Sequence, residues 1–136
     1  LPVEQCGQLK FINVNDQTTT PGILTHHRTS ITDHLSLLVA NGHTDSMMLP
    51  VIQYKEKIIV YMADLLPSVA HIPLPYIMGY DMFPLTTLNE KKQFLTAALQ
   101  NDFILFFEHD PVNECCTLQM TEKGIRQKDI FNLADI

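Results

Sequence analysis

The chain has 136 residues, of which 46% are hydrophobic and 18% are charged, and its formal net charge is −6. This length and composition predict one domain, or part of one, with a packed core, and they exclude wholesale disorder. The lack of a lysine or arginine cluster excludes a basic surface for nucleic acid, and no apolar run approaches the roughly 20 residues of a membrane span.

The first 40 residues predict two strands separated by a polar loop. The apolar segment GQLKFINV, residues 7–14, predicts a short strand after a turn. Residues 15–33 are polar and contain Thr-Thr-Thr-Pro-Gly, which predicts a loop or an edge excursion. The segment HLSLLVA, residues 34–40, predicts a buried strand that ends just before Asn41-Gly42-His43.

The middle of the chain predicts a hairpin followed by an irregular apolar loop. Residues 47–64 contain two apolar runs around a charged turn at Tyr54–Lys57, which indicates a hairpin. Residues 65–85 are strongly apolar, yet prolines at positions 67, 73, 75 and 84 forbid a regular helix or a central strand there. A long apolar loop of this kind covers a site or lines a pocket.

The clearest helix is TLNEKKQFLTAALQND, residues 87–102. Thr87 and Glu90 have the spacing of a capping box. Apolar residues recur on one face of the helix: Leu88, Leu95, Ala98 and Leu99. FILFFEHD, residues 103–110, and CTLQMTEKG, residues 116–124, predict two more strands before a short tail. The mixture predicts an α+β or layered αβ domain.

Three of these strands are followed by a side chain that can bind a metal. His43 follows the strand at residues 34–40, Asp64 ends the hairpin, and His109 lies at the end of FILFFEHD. Singly, such a histidine is more often a surface or core residue, and such an aspartate a turn residue. Because strand ends converge in a sheet, the three together predict a site with the nitrogen and oxygen ligands of hydrolytic zinc centres.

The segments NGHT, VYMADLLPSVAHIPLPYIMGYD and FFEHDP together resemble the C-terminal half of the metallo-β-lactamase-fold hydrolases, in particular a quorum-quenching-lactonase-like subgroup. The resemblance covers about residues 35–120 and implies an α+β fold, the αββα sandwich, of which residues 1–136 would be the C-terminal part. It also implies two divalent metal ions, zinc first, with iron and manganese as alternatives. The expected substrate is a small molecule with an ester, lactone or related bond.

The resemblance implies a role for each of the three residues. His43 would be the third histidine ligand of the first metal, Asp64 the carboxylate that bridges both metals, and His109 a ligand of the second. His71, in the apolar loop after Asp64, is a candidate substrate contact, and its alternative is a loop histidine bonded to backbone. Tyr76 is a second candidate, and its alternative is a place in an apolar lid that packs on the core.

One departure from the family pattern concerns the signature His-x-His-x-Asp-His, which is expected upstream of Gly-His-Thr. The segment THHRTSITDH, residues 25–34, has the right residue types at the wrong spacing. His26 and His27 are adjacent, and His34 is separated from His43 by a strand of roughly 30 Å. We therefore expect these three histidines to lie away from the site, and we expect the signature on a missing N-terminal half of the fold.

A second hypothesis treats the chain as a metal-free remnant that acts as a binding or structural module. A half sandwich exposes one apolar sheet face, which favours association with a partner or with a second copy. The three cysteines, Cys6, Cys115 and Cys116, do not have the spacing of a disulfide scaffold or a zinc knuckle, so a reducing cytoplasm is expected. A signature upstream of Leu1 would favour the enzyme over the remnant.

Overall fold

The computed structural model describes residues 2–7, 9, 11–12 and 29–136. Its helices are α1 (Pro2–Gln5) and α2 (Pro84–Gln100), and two short 3-10 turns cover Val69–His71 and Leu133–Asp135. Its strands are β1 (Thr29–Ser30), β2 (Leu35–Ala40), β3 (Met47–Tyr54), β4 (Lys57–Tyr61), β5 (Ile104–Phe106), β6 (Cys115–Thr121) and β7 (Gly124–Phe131). Among the described residues, no helix is both long and apolar enough to cross a bilayer.

The seven strands form one sheet, in which each strand lies beside its neighbours in sequence. All neighbouring pairs are antiparallel except β4 and β5, which are parallel and are joined through α2. Because β2 and β4 both run antiparallel to β3, the strands β2, β4 and β5 share one direction. Their C-terminal ends therefore lie at the same end of the sheet.

Helix α2 packs on one face of the sheet and covers the main core. Alternate strand residues point to this face because the side-chain period of a strand is two. The sheet contributes Leu38, Leu49, Val51, Val60 and Leu105, and the helix contributes Phe94, Leu95 and Ala98, all of them buried. Burial of a side chain of this size stabilises the fold by about 1.5–3 kcal/mol.

The opposite face of the sheet is only partly covered. A small buried cluster there contains Ile59, Ile104 and Cys115, with Phe106, Phe131 and Ile136 packed against it. Ile52 pairs with Ile59 across the β3–β4 register and is 36% exposed, and Met48, on the same face of β3, is 48% exposed. This half-exposed side is called the open face below.

Several sequence predictions are confirmed by these elements. Strand β2 occupies the expected segment, and the hairpin turns at Lys55 and Glu56, with Tyr54 paired to Lys57. The proline-rich segment between β4 and α2 contains no strand and no helix beyond the single 3-10 turn. Lys55 adopts a left-handed φ of 53° to close this tight turn.

Four local predictions are wrong. Strand β5 covers only Ile104–Phe106 of the predicted strand at residues 103–110. Among the described residues of 7–14, none is in a strand, and Gly7 lies in a turn. Helix α2 begins at Pro84 after Phe83, so Thr87 is inside the helix and does not form a capping box with Glu90. The expected C-terminal tail instead forms β7, which pairs with β6 across a short Glu122-Lys123 turn.

Candidate functional site

His43, Asp64 and His109 meet at the end of the sheet where β2, β4 and β5 terminate. The Nε2 atom of His43 lies 3.4 Å from Oδ2 of Asp64. The Nε2 atom of His109 lies 3.3 Å from Oδ1 of the same carboxylate. Each imidazole therefore faces a different oxygen of Asp64.

Both separations are ion-pair contacts that are longer than a short, direct hydrogen bond. A charge-assisted N–H···O bond is about 2.7–2.9 Å long. Two ligands of one tetrahedral ion, each at about 2.1 Å from it, are about 3.4 Å apart. Within the described part of the chain, no group of three or more His, Cys, Asp or Glu side chains is arranged to hold an ion by itself. The three side chains are therefore neighbours, and the two imidazoles face different oxygens of one carboxylate.

Helix α2 fixes the turn that presents His43. The carboxylate of Glu90 accepts hydrogen bonds from the backbone N–H groups of Asn41, at 2.8 Å, and Gly42, at 3.0 Å. A Cβ atom added at Gly42 would overlap the backbone nitrogen and the hydroxyl of Thr87, so only glycine allows this close approach of strand end and helix. The glycine before His43 thus has a packing reason.

Asp81 is a further residue of the candidate site that was not identified from the sequence. Its Oδ1 atom lies 2.9 Å from Nδ1 of His43, and its side chain is 1% exposed. The two residues are 38 positions apart, and Asp81 lies in an irregular loop, where no periodicity marks it. One feature of the sequence does mark it, since Asp81 is the single carboxylate between Leu65 and Asn89, in an otherwise mainly apolar segment.

Glu90 and Lys91 are adjacent buried charges that tie both site loops to α2. Burial raises the pKa of Glu90, against the lowering effect of its two backbone hydrogen bonds. The ammonium of Lys91 donates to the carbonyls of Pro73, at 2.8 Å, and Tyr76, at 2.6 Å. Burial lowers the pKa of Lys91 to about 8, and the nearby carboxylate of Asp81 opposes this shift. The helix thereby holds the turn before His43 and the loop after Asp64.

Asp110 anchors the loop that carries His109. Its carboxylate accepts a hydrogen bond from the backbone N–H of Val69, at 3.0 Å, and others from Val112 and Asn113. Burial alone would raise the pKa of Asp110, but these hydrogen bonds lower it. The N–H of His109 donates to the carbonyl of Pro67, at 3.2 Å, while its side chain is 53% exposed. The loops after β4 and β5 are thus joined beside Asp64.

A cavity of about 430 Å³ opens next to His109. Its lining consists of Pro67, Ser68, His71, Ile77, Met78, Gly79, Tyr80 and His109. The predicted substrate contact His71 therefore lines this cavity. Its Nδ1 atom shares a 2.9 Å hydrogen bond with the hydroxyl of Ser68. Burial and the positive charge of Lys91 lower the pKa of His71, which favours a neutral imidazole.

Tyr76, the other predicted substrate contact, is not among the residues that line this cavity. Its side chain is exposed, and its carbonyl is the acceptor for Lys91. A role in substrate binding remains a prediction for Tyr76. Tyr80 lines the cavity instead, and its ring lies edge-on to that of His43 with the centroids 6.2 Å apart.

His34 lies away from the site. It precedes β2, is exposed, and accepts a hydrogen bond from the N–H of Gln53 at its carbonyl, whereas His43 follows the other end of the same strand. His26 and His27 lie outside the described residues. Cys115 and Cys116 are buried in β6, and burial raises their thiol pKa values to about 11 and about 12, so neither is a reactive thiolate.

No family sequence model and no curated protein sequence matches the chain. Several solved structures share its fold, including the following three. A probable metal-dependent hydrolase from Staphylococcus aureus has a TM-score of 0.68 and 18% identity over 77% of this chain and 37% of its own. AidC, a dizinc quorum-quenching lactonase in complex with the product N-hexnoyl-L-homoserine, has a TM-score of 0.69 and 20% identity over 93% and 40%.

The third solved structure is AbOPH, a hydrolase in the beta lactamase superfamily, with a TM-score of 0.71 and 14% identity over 96% of this chain and 41% of its own. The chain thus spans about two fifths of the length of these structures. Its mixed sheet with one covering helix corresponds to their C-terminal half. The chain has the metallo-β-lactamase-type fold of these hydrolases, represented by the C-terminal half of the sandwich.

Proposed function

We propose that this chain carries the C-terminal share of a dinuclear metal site in a hydrolase that cleaves an ester, lactone or related bond. The observation that carries the proposal is the position of Asp64 between two histidines, with His43 facing one carboxylate oxygen at 3.4 Å and His109 facing the other at 3.3 Å. A carboxylate can bridge two ions about 3.5–4 Å apart in this way.

Each residue has a distinct part in the proposed site. Asp64 would hold both ions, and His43 and His109 would each provide one nitrogen ligand to one of them. Divalent ions at such a site supply an activated water near neutral pH and polarise a carbonyl oxygen. Zinc is the proposed metal because its ligands in hydrolytic sites are imidazole nitrogens and carboxylate oxygens, and iron and manganese accept the same ligands.

The cavity beside His109 is the proposed place for a small-molecule substrate. Its lining is mainly uncharged and combines the side chains of Ile77, Met78 and Tyr80 with the hydrogen-bonded Ser68–His71 pair. A neutral imidazole at His71 can exchange a hydrogen bond with a substrate oxygen. The lactonase of similar fold is described with an acyl-homoserine product, which supports a small substrate here. His71 and, from the same loop, Tyr76 are the proposed substrate contacts.

The remaining ligands are proposed to come from an N-terminal half of the same fold. Three donors leave two ions short of a full ligand set. The solved structures of similar fold extend well beyond the part that this chain covers, and the half-exposed open face offers an apolar surface for a second layer. The three free thiols support a reducing compartment, and we propose a cytoplasmic location on that basis.

The test uses the complete protein that contains this chain. Its hydrolysis of a panel of lactones, carboxylic esters, thioesters and phosphodiesters is measured before and after removal of metal by a chelator, and again after zinc is returned. The proposal expects turnover of at least one class that disappears with the metal and returns with it. Turnover that survives complete metal removal, or none for any class in the zinc-loaded protein, would contradict the proposal.

A second candidate function is a binding module, and the open face favours it. Met48, Ile52 and Tyr54 are exposed on one strand, and contiguous apolar surface of this kind marks interaction sites. The two candidates differ in zinc content and in how association and zinc binding respond to Asp64→Ala. A module that binds a partner or a second copy through this face keeps that association in an Asp64→Ala variant and binds no zinc. A hydrolase binds zinc and loses it in the same variant.

A further inference from the structure

Asp81 is a buried carboxylate that contacts one of the two ring nitrogens of His43, Nδ1. We infer that Asp81 is a positioning residue, which holds the proton of His43 on Nδ1 and so presents the bare Nε2 atom toward Asp64. An ionised carboxylate can only accept hydrogen bonds, so the proton in a 2.9 Å contact belongs to the imidazole nitrogen. The position of the proton does not depend on the proposed function. The expected consequence, tighter metal binding, rests on that function.

The surroundings of Asp81 argue against a purely structural role. Its Oδ2 atom is buried and accepts no hydrogen bond from the described residues. A buried acceptor without a partner is unfavourable, so hydrogen bonding alone does not account for the position of this carboxylate. The charged and titratable groups that act on or share its surroundings are His71, Glu90 and Lys91. Its hydrogen-bonded side-chain partner is His43.

Backbone hydrogen bonds hold the segments that carry His43 and Asp81 next to each other. The N–H of Met82 donates to the carbonyl of His43, at 3.1 Å, and the N–H of Phe83 donates to that of Gly42, at 2.8 Å. These bonds flank the side-chain contact on both chain segments. The ring of Tyr80 lies edge-on to the imidazole, and the side chain of His43 is only 14% exposed. His43 therefore keeps Nδ1 toward Asp81 and Nε2 toward Asp64.

Two carboxylates compete for the single proton of a neutral His43. Asp81 lies 2.9 Å from Nδ1, whereas Asp64 lies 3.4 Å from Nε2. The shorter contact favours the proton on Nδ1. Without Asp81 the proton would move to Nε2 and point at Asp64, which removes the lone pair that a metal needs. A carboxylate that fixes the tautomer of a ligand histidine in this way typically contributes about 10–100-fold to metal affinity.

The first readout needs neither metal nor activity. Long-range ¹H–¹⁵N NMR of the imidazole rings in the metal-free complete protein, at about pH 8 and thus above the ordinary histidine range, shows which nitrogen carries the proton. We expect the proton on Nδ1 in the wild type and in Asp81→Asn, whose amide oxygen still accepts from Nδ1. In Asp81→Ala we expect it on Nε2. Asp45→Asn, an exposed aspartate beside the same turn, is the matched control and should not change the ring.

The second readout is the dissociation constant for zinc, measured by competition with a chelator. We expect Asp81→Ala to bind zinc about 10–100-fold more weakly than the wild type and Asp81→Asn to recover part of that loss. A wild-type proton on Nε2, or an unchanged tautomer in Asp81→Ala, overturns the inference. If the wild type binds no zinc, the proposed function fails, while the tautomer measurement still decides the role of Asp81.

Discussion

The carboxylate of Glu90, in the middle of helix α2, accepts a hydrogen bond from the backbone N–H of Gly42, 3.0 Å away. This contact joins the helix to the turn between β2 and His43. A second bond, from the N–H of Asn41, uses the other oxygen of the same carboxylate. The position of a candidate metal ligand thus depends on a helix residue that does not itself face the ligand.

Loss of the Glu90 carboxylate should destabilise the protein and displace His43. Glu90→Ala leaves two largely buried N–H groups without acceptors, and each such group costs about 1–3 kcal/mol, so we expect a loss of about 2–4 kcal/mol. Glu90→Gln keeps one acceptor oxygen and should lose about half as much. Urea unfolding measures the unfolding free energy of both variants. Equal stability of Glu90→Ala and the wild type would show that the two hydrogen bonds contribute nothing.

Gly42→Ala should be destabilising because a methyl group has no room against Thr87. The overlap includes a backbone atom, which a rotamer change cannot relieve, so we expect a loss of about 1–3 kcal/mol. Gly79→Ala is the matched control, since a Cβ at Gly79 meets nothing within 4 Å. Its unfolding free energy should stay within about 0.5 kcal/mol of the wild type. Similar losses in the two variants would point to a general effect of glycine replacement.

The sequence was informative where a histidine or an aspartate directly follows an apolar strand. Apolar runs located β2 and the hairpin, and the side chains that follow these strands pointed to His43 and Asp64. Their proximity to His109 follows from one shared strand direction, which the sequence allowed us to expect. Their role as ligands is still a prediction.

The missed features depend on contacts between distant segments. Glu90 was assigned to a capping box because Thr87 precedes it by three residues, yet the helix begins earlier and the carboxylate bonds to the end of β2. Asp81 could not be paired with His43 because nothing local relates a loop residue to a strand end 38 positions away. Strand β7 was missed because its residues are mostly half-buried or exposed and so lack an apolar run.

Lys91 should make the stability of the protein depend on pH. Its pKa is lowered from 10.5 to about 8 in the folded chain, so the unfolded chain binds more protons between these values. Stability therefore rises with pH across this window and is lost as pH falls through about 8. The full effect is on the order of 3 kcal/mol.

Urea unfolding between about pH 7 and pH 10 tests this, with Lys91→Met as the variant that lacks the titrating group. The wild type should gain stability relative to Lys91→Met as the pH rises. Lys92→Met, at the exposed neighbouring position, is the control and should follow the wild type. A constant difference between wild type and Lys91→Met across the range would contradict the lowered pKa.

His109→Ala in the complete protein should lower metal content and turnover while the fold is kept. The side chain is 53% exposed and follows the end of β5, so its loss leaves no cavity in the core. We expect the unfolding free energy to change by less than about 0.5 kcal/mol. His34→Ala, at the opposite end of β2, is the control and should keep both metal and activity. Undiminished turnover in His109→Ala would remove this residue from the site.

The central claim is that one carboxylate, Asp64, holds two metal ions together with His43 and His109. The most direct measurement is the metal content of the complete protein after equilibrium dialysis against zinc, for the wild type and for Asp64→Ala. The account predicts about two ions per chain in the wild type and a loss from both positions in Asp64→Ala, because a bridging ligand serves both ions. A wild type that binds no metal, or an Asp64→Ala protein that retains both ions, would contradict the account.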